Sequence, residues 1–281
     1  MEGVLSKEIA DLIAKRFIAR SDIKAIQQKP GHYTPDRCDT EECHAKPCDK
    51  HKFKRQDLLD HIECKKSFGH YLVNQDNKAK LFAFDIDLVK TTLPGTTKES
   101  GKPYTWDGKR HIPGSPRDYF ANGVDPAAHL TRELLIIADF LAGRVKKLDI
   151  PVAVAFSGAK GVHVYGFTGL YDAGTVRSIA HEVLKDSGVF ALSRGQHFYR
   201  HTTANLYGGS HPEWGYPNIE IEVFPKQDNL TGKDLGNLMR LPLGVHRRTG
   251  QRSRFLALDM HHNEMINLSP ITALKAGNPW I

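Results

Sequence analysis

The sequence contains no hydrophobic run long enough to cross a bilayer, and the residues after Met1 do not form the apolar segment of a secretory signal. These two absences argue against a membrane-spanning or exported protein. We therefore expect a cytoplasmic protein with no membrane partner. No segment is repeated elsewhere in the chain, which argues against a repeat architecture.

Cysteine is scarce, and its four occurrences, Cys38, Cys43, Cys48 and Cys64, lie in one short window. In a reducing compartment such clustering is typical of metal binding rather than of disulfides. A closed structural zinc site needs four ligands. We predict that the first three cysteines and His51 bind zinc, with Cys64 in place of His51 as the alternative. Unliganded thiols in a loop are the competing interpretation.

Acidic residues are fewer than basic ones, since 32 Asp and Glu stand against 39 Lys and Arg and give a formal charge of +7. A basic surface favours a polyanionic partner such as nucleic acid, although an ordinary solvated surface is also compatible with it. The basic residues concentrate in two runs, at residues 44–55 and 246–254.

Hydrophobic periodicity predicts helices and strands in irregular order, which indicates an α+β or mixed α/β fold rather than a regular doubly wound sheet. Helices are predicted at 6–17 with Ser6 as N-cap, at 21–26, from Gln56, from Asp125-Pro126, and up to a C-cap at Gly188. Strands are predicted at 69–73, 81–87, 151–156, 162–167, 218–224 and 254–258, with a hairpin turn from Asn74 to Lys80. The polar segment 91–123 is expected to form an irregular insertion.

The stretch LFAFDID, residues 81–87, has the apolar character of a buried strand but carries two carboxylates. Because side chains alternate along a strand, Asp85 and Asp87 share one face and the large apolar side chains share the other. Two unpaired carboxylates this close would repel each other, and a divalent cation such as Mg²⁺ relieves that repulsion. A solvated strand end is the simpler alternative.

A second strand with alternating carboxylates, IEIEVF at residues 219–224, would extend this acidic site if it lay beside the first strand. Glu220 or Glu222 would then complete a cluster of three carboxylates suited to two metal ions. An ordinary half-exposed strand is the alternative.

The stretch SGAKGVHV, residues 157–164, is a glycine turn between two apolar strands. Its glycines allow backbone amides to approach an anion, and Ser157, Lys160 and His163 add polar and cationic groups suited to a phosphate. A histidine with a structural hydrogen bond is the alternative interpretation.

The stretch RLPLGVHRRTGQR, residues 240–252, contains a Pro-Gly turn that presents His246, Arg247 and Arg248 together. Such a cationic turn suits a triphosphate or a nucleic-acid backbone. A solvated basic loop is the alternative.

In this order, the DxD strand, the S-x-x-x-G-x-H element, IEVFPKQ and GNLMRLPLGVHRRTG resemble the motifs of the archaeo-eukaryotic primase superfamily. The last two are most similar to primases of the phage, plasmid and TOTE conflict-system type. The resemblance extends from about His61 to Phe255. It implies an α+β catalytic core in which an RRM-like sheet with flanking helices lies beside an N-terminal α/β unit.

The small Cys/His zinc-binding element lies outside the motifs that carry this resemblance. We therefore divide the chain into N-terminal helices at 1–28, a zinc-binding element with a linker helix at 29–66, and a catalytic core at 67–281. The core is expected to form one compact unit with the N-terminal part.

The resemblance implies a primase-polymerase, a nucleotidyltransferase that joins nucleotides on a DNA template by a two-metal mechanism with Mg²⁺ or Mn²⁺. The expected partners are a single-stranded DNA template, a primer strand, nucleoside triphosphates and a fused or associated helicase. The expected setting is the cytoplasm of a prokaryotic or phage-infected cell.

The resemblance also implies roles for individual residues. Two acids of the first motif and one of the third bind the catalytic metals in the family, which assigns this role to Asp85, Asp87 and Glu222. Glu222 is preferred to Glu220 because it directly precedes the VFPKQ element, and His163 is the histidine that contacts the triphosphate. The further nucleotide contacts implied are Ser157, Lys160, Gly161, Lys226, Asn237, Arg240 and His246, and the nucleic-acid contacts are Arg247, Arg248 and Arg252.

Two other functions compete with this interpretation. FAFDIDLV also fits the opening motif of haloacid-dehalogenase-like phosphatases, whose first Asp is a nucleophile, but the late acidic motif of that family is missing from the sequence. A non-catalytic module that binds single-stranded nucleic acid would explain the zinc element and the basic runs. Its carboxylates would, however, repel a polyanion unless metal ions bound them.

Overall fold

The structure is a computed structural model, and it describes residues 2–29, 31–36, 50–88, 128–187, 189, 199–201, 206–208, 219–231, 235–259 and 264–276. The helices are α1 (Glu2–Phe17), α2 (Arg55–Ile62), α3 (Ala128–Lys147), α4 (Ala173–Asp186) and α5 (Pro270–Ala276). The strands are β1 (Ala25–Gln27), β2 (Tyr33–Pro35), β3 (Phe68–Tyr71), β4 (Lys78–Leu88), β5 (Val152–Phe156), β6 (Gly161–Asp172), β7 (Tyr199–His201), β8 (Leu206–Gly208), β9 (Ile219–Phe224), β10 (Leu238–Arg240), β11 (Arg254–Asp259) and β12 (Glu264–Asn267).

Eight of these strands form one antiparallel sheet in the order β12-β11-β5-β6-β4-β9-β8-β7. The DxD strand β4 lies near its middle, between β6 and β9. The strands predicted at 81–87, 151–156, 162–167, 218–224 and 254–258 all belong to this sheet and are confirmed. The α+β fold class is confirmed as well.

A smaller antiparallel sheet has the order β10-β3-β1-β2. Its β1 strand occupies residues for which the sequence predicted a second short helix, so that prediction is wrong. Pairing with β2 and β3 decides the conformation here, because a three-residue segment has little helical preference of its own to set against two strand partners. Helix α1 also begins at Glu2, which places the predicted N-cap Ser6 inside the helix.

The predicted turn between β3 and β4 is confirmed, but the predicted pairing of these two strands is wrong. A turn does form, since Asn74 N donates to the Lys78 carbonyl at 2.9 Å and the Asn74 side chain accepts from Asp76 N and Lys78 N. The two strands do not pair, however, because β3 lies in the small sheet and β4 in the large one. The turn therefore carries the chain from one sheet to the other.

The large sheet buries apolar side chains on both faces. Phe82, Phe84 and Ile86 of β4 join one core with residues of α3 and α4, such as Leu141 and Val176. On the other face, Ala83, Tyr165 and Phe224 join a second core with α1, α2 and β10. Asp85 and Asp87 continue this second face beyond the edge of its core.

Several predictions lie outside the described residues: the insertion at 91–123, the helix start at Asp125-Pro126, the cap at Gly188, and Cys38, Cys43 and Cys48. Strand β12 and helix α5 follow the last predicted strand and were not predicted. In the part of the chain that the structure describes, no helix is both long and hydrophobic enough to span a membrane. The division at residues 28 and 66 stays a prediction.

Candidate active site

A cleft of about 340 Å³ opens where β4, β6 and β9 extend beyond the second core. It combines carboxylates with cationic side chains. The residues that line it are Asp85, Asp87, Ser157, Ala159, Lys160, His163, Glu220, Glu222, Arg240, His246, Arg248 and Thr249. Most of the residues that the sequence assigned to metal and nucleotide binding therefore meet in one place.

Strand register brings the acidic residues together. Asp85 lies directly opposite His163 on β6 and Glu222 on β9. Asp87 likewise lies opposite Glu220. Directly opposed residues of antiparallel strands point to the same face, with Cβ atoms about 5 Å apart. The condition that β9 must lie beside the DxD strand is therefore met.

Each of the three predicted metal-binding carboxylates contacts a basic side chain. These contacts are Asp87 Oδ2 with Lys160 Nζ at 2.9 Å, Asp85 Oδ1 with His163 Nε2 at 3.2 Å, and Glu222 Oε1 with Lys226 Nζ. The basic partners relieve the repulsion that the acidic face would otherwise suffer.

Burial and charge set the pKa values of these carboxylates in different directions. Burial alone would raise the pKa of Asp85, but the contact with His163 and the positive charge of Lys160 outweigh it and lower that pKa. Burial raises the pKa of Asp87 despite the opposing effect of Lys160, and the Asp85 charge adds to the rise. Burial also raises the pKa of Glu222.

The donor set of the acidic face is compatible with Mg²⁺ or Mn²⁺, which prefer hard carboxylate oxygens. The Asp85 Oδ1 atom is buried and makes no well-formed hydrogen bond within the described ranges, although His163 Nε2 lies 3.2 Å away. As they stand, no three His, Cys, Asp or Glu side chains among the described residues are grouped to hold a metal ion. The ion pairs with Lys160 and Lys226 occupy the carboxylates instead.

The glycine turn is ordered by Ser157. Its Oγ accepts from Ala159 N and Gly161 N, both at 3.3 Å, and the residue is 3% exposed. Gly158 has a φ of +83°, which favours glycine. A Cβ at Gly161 would overlap the Ile86 carbonyl and the Asp87 carboxylate. Ser157 and Gly161 thus shape the turn, and their predicted contact with a nucleotide stays a prediction.

The LPLGVHRRTG turn packs on the glycine turn. Thr249 Oγ1 donates to the Gly158 carbonyl at 2.5 Å, and Arg240 Nη1 donates to the Ser157 carbonyl at 2.5 Å. His246 is buried beside them and its Nδ1 accepts from Thr249 N at 3.2 Å. Two motifs about 90 residues apart in sequence therefore form one wall of the cleft.

His61 supports this wall from behind, a role that the sequence did not suggest. Its Nδ1 accepts from Phe68 N at 3.0 Å, so the neutral ring carries its proton on Nε2 and donates to the Pro242 carbonyl at 3.0 Å. A Cβ at Gly244 would overlap the His61 ring. The glycine of the LPLG motif thus makes room for a buried histidine.

Tyr165 lies behind His163 and was also not assigned a role. Its hydroxyl is 2.7 Å from His163 Nδ1 and the side chain is fully buried. Because His163 Nε2 faces the Asp85 carboxylate, the hydroxyl is best placed to donate to Nδ1, which leaves the proton on Nε2. The signal available in the sequence was their spacing, since residues at i and i+2 of a strand share one face.

The three predicted nucleic-acid arginines have different surroundings. Arg248 lines the cleft. Arg247 donates to the Lys65 carbonyl, and Arg252 donates to the carbonyls of Leu243 and Ile62 at 3.0 and 2.7 Å. The last two side chains join the turn to the end of α2, and their contact with nucleic acid stays a prediction.

Lys226 and Asn237 lie at the opposite side of the acidic face. Lys226 lies over the Phe224 ring at 4.9 Å, and its backbone N donates to Asn237 Oδ1 at 2.7 Å. The Phe224–Pro225 peptide is cis. The FPKQ element is therefore fixed against β10, next to Glu222.

Of the predicted zinc ligands, the structure describes only His51 and the alternative Cys64. His51 Nδ1 is 3.0 Å from Asp36 Oδ1. Cys64 is a free thiol with a φ of 63°, and its Sγ lies 3.7 Å from the Ile62 carbonyl. The zinc site stays a prediction, because its three other cysteines lie outside the described residues.

Comparison with known proteins shows a similarity over part of the chain. A search of curated proteins finds no match. Residues 216–276 match the model of a family described as "TOTE conflict system, Archaeo-Eukaryotic Primase domain". This segment contains Glu222, the FPKQ element and the LPLGVHRRTG turn, and the two antiparallel sheets with flanking helices fit such a domain. At family level the match supports nucleotidyl transfer of the primase-polymerase kind, and the resemblance to the archaeo-eukaryotic primases is confirmed.

Proposed function

We propose that this protein is a DNA-directed primase-polymerase that adds nucleotides to a strand paired with a single-stranded DNA template. The observation that carries the proposal is the register of β4, in which Asp85 stands opposite both His163 and Glu222. Three motifs that are far apart in sequence thereby meet on one face of one sheet. The family match at residues 216–276 supports the same chemistry.

Asp85, Asp87 and Glu222 are the residues that would hold Mg²⁺ or Mn²⁺. When bound, such ions supply stabilisation of the attacking and leaving oxygens of the phosphoryl group. Binding would compete with the ion pairs to Lys160 and Lys226, so both ammonium groups become available to an anionic substrate.

Lys160, His163 and Arg248 are the groups that would bind the triphosphate, since all three line the cleft beside the carboxylates. The pKa of Lys160 is raised by Asp87 and Asp85 even though burial lowers it, so this side chain stays cationic at neutral pH. A preorganised cation at the position of a leaving pyrophosphate stabilises the charge that develops there. The Tyr165 hydroxyl favours the tautomer of His163 that is protonated at Nε2, and this N–H would donate a hydrogen bond to a phosphate oxygen.

Primer extension tests the proposal. The protein is incubated with a primed and an unprimed single-stranded DNA template, labelled nucleotides and Mg²⁺ or Mn²⁺. We expect template-dependent products, and a loss of at least about 100-fold in Asp85→Asn and in Asp87→Asn because each removes a charge from the acidic face. Asp76→Asn is the matched control, since Asp76 is an exposed acid just before β4.

Failure of extension with both metals and both templates would overturn the proposal, as would equal activity in the Asp85 and Asp76 variants. Retained binding of single-stranded DNA in that case would identify a non-catalytic binding module. The unprimed template separates initiation of new strands from extension alone.

We further propose that Cys38, Cys43, Cys48 and His51 bind a structural zinc ion, with Cys64 as the alternative to His51. The clustering of the cysteines supports this proposal. Metal analysis of protein purified without chelator should show about one zinc ion per chain. Less than stoichiometric zinc in freshly purified wild-type protein would remove the proposal, and comparison of His51→Ala with Cys64→Ala identifies the fourth ligand.

A further inference from the structure

A second cavity, of about 270 Å³, adjoins the catalytic cleft. The two cavities share Asp85, His163, Glu222 and Arg240. The other residues that line the second cavity are Tyr33, Phe224, Lys226, Asn237, Leu238 and Met239. Strand β2 of the small sheet therefore contributes Tyr33 to the site, although no recognised motif includes this residue.

Two buried polar atoms around this cavity lack a well-formed hydrogen bond within the described part of the protein. They are Tyr33 Oη, whose neighbour is the Arg240 side chain, and Arg240 Nε. Leaving a buried polar atom unpaired costs about 1–3 kcal/mol, and buried polar groups are normally paired. Their convergence on one cavity indicates that a polar ligand completes their hydrogen bonds.

The hydrogen-bonding groups and charges that line the second cavity indicate the kind of ligand that it would bind. Tyr33 Oη can both donate and accept, and Arg240 Nε donates. Asp85 and Glu222 balance the charges of Lys226 and Arg240, so this lining has no excess of positive charge to attract a phosphate. A pentose fits better, because its hydroxyls both donate and accept while its C–H groups can pack on apolar surface such as that of Phe224 and Leu238.

Packing against β3 fixes the position of the Tyr33 ring. A Cβ at Gly69 would lie 3.0 Å from Tyr33 Cε1, so the absence of a side chain at Gly69 lets the ring pack against β3. Burial raises the pKa of Tyr33 to about 12, despite the opposing charge of Arg240. The hydroxyl therefore stays protonated at neutral pH.

We propose that this cavity is a pentose subsite in which the Tyr33 hydroxyl bonds a sugar hydroxyl of the incoming nucleotide or of the primer terminus. The inference rests on the proposed function, because the adjoining cleft would hold the triphosphate or the 3′-end. It adds a specificity-determining residue from the N-terminal sheet.

Direct binding separates the pentose from the phosphates. Affinities for ATP, dATP, inorganic tripolyphosphate and a primed template are measured with Mg²⁺ for the wild type, Tyr33→Phe and Tyr171→Phe. Tyr171 is 59% exposed on β6 and is the matched control for loss of a phenol hydroxyl. Thermal unfolding checks that both variants fold.

If the pentose belongs to the nucleotide, Tyr33→Phe weakens ATP or dATP binding by about 3- to 10-fold, the value of one hydrogen bond, and leaves tripolyphosphate binding unchanged. A change in the ratio of ATP to dATP affinity identifies the 2′-hydroxyl as the bonded group. If the pentose belongs to the primer, the same loss appears for the primed template and not for free nucleotides.

Unchanged affinity for every probe in Tyr33→Phe, or an equal loss for tripolyphosphate, overturns the pentose subsite. The first result would mean that solvent water completes these hydrogen bonds. Neither result depends on catalysis, so a failure here is distinct from a failure of primer extension.

Discussion

Asp85 on β4 and Glu222 on β9 stand directly opposite each other across adjacent antiparallel strands, although 137 residues separate them in the chain. Two carboxylates in this position repel each other unless cations compensate their charge. In the structure, the His163 Nε2 atom lies against Asp85 and the Lys226 ammonium against Glu222. These contacts reduce the repulsion between the two carboxylates, and a cationic ligand would replace them.

Tyr165→Phe should weaken catalysis without unfolding the protein. The substitution keeps the buried ring, which packs edge-on against Phe17, but removes the hydroxyl at 2.7 Å from His163 Nδ1. His163 can then place its proton on either nitrogen, so we expect kcat/KM for nucleotides to fall about 3- to 10-fold.

The tautomer of His163 in this variant is read from the ¹⁵N chemical shifts of the imidazole. Tyr171→Phe, on the exposed end of the same strand, should leave both the activity and the ¹⁵N shifts unchanged. Wild-type shifts and wild-type kinetics in Tyr165→Phe would contradict the positioning role.

Thr249→Val should loosen the contact between the two turns that form the cationic wall. The hydroxyl donates to the Gly158 carbonyl and accepts from Gln251 N at 3.1 Å, and valine has the same shape without these bonds. We expect KM for nucleotides to rise several-fold and stability to fall by about 1–2 kcal/mol, measured by urea unfolding.

The control for this prediction is Thr168→Val. Among the described residues, the Thr168 Oγ1 bond is local: it donates to the Gly169 carbonyl at 3.0 Å, on the exposed part of β6. Its substitution should change neither KM nor stability appreciably. Equal effects of the two variants would show that the bond to Gly158 contributes no more to KM or stability than an exposed local bond does.

Two glycine-to-alanine substitutions should have opposite effects on stability. A Cβ at Gly161 would overlap the backbone of the neighbouring strand and the Asp87 carboxylate, so Gly161→Ala should cost about 1–3 kcal/mol and reduce activity. At Gly143, inside α3, a Cβ would meet no atom within 4 Å. Gly143→Ala should therefore stabilise the protein by up to about 1 kcal/mol.

Chemical unfolding and primer extension of both glycine variants check this prediction. Activity should fall in Gly161→Ala alone. A Gly161→Ala protein with wild-type stability would show that β4 and β6 can move apart at this point.

Stability should decrease as the pH falls below about 6.5, the usual pKa of histidine. Burial lowers the pKa of His61 to about 4 and that of His70 to about 3 in the folded protein. The unfolded chain therefore binds protons first, and the contribution of the two neutral rings is complete above pH 6.5 and is lost towards pH 4.

We expect each of these two histidines to account for about 2–3 kcal/mol of this loss between pH 7 and pH 4.5. Urea unfolding across this range measures it. His70→Leu removes a ring whose nitrogens lack a hydrogen-bond partner in the described part of the chain, and should flatten the curve. An unchanged pH dependence in His70→Leu would contradict the assignment.

Local patterns in the sequence predicted much of the candidate site. Alternation along two strands placed Asp85 with Asp87 and Glu220 with Glu222, and the glycine turn with Lys160 and His163 was visible as a unit. These features depend on strand geometry and turn chemistry, which involve residues close in sequence. The α+β class followed from the same periodicity.

Only the tertiary structure decided which strands are neighbours, because pairing depends on packing between distant segments. It placed β4 between β6 and β9, separated β3 from β4, and made residues 25–27 a strand rather than a helix. It also brought Tyr33 and His61 to the site, where Tyr33 lines the second cavity and His61 bonds to Pro242, which is 181 residues away in sequence. The sequence by itself thus determined which chemical groups the protein carries, and long-range packing determined which of them meet.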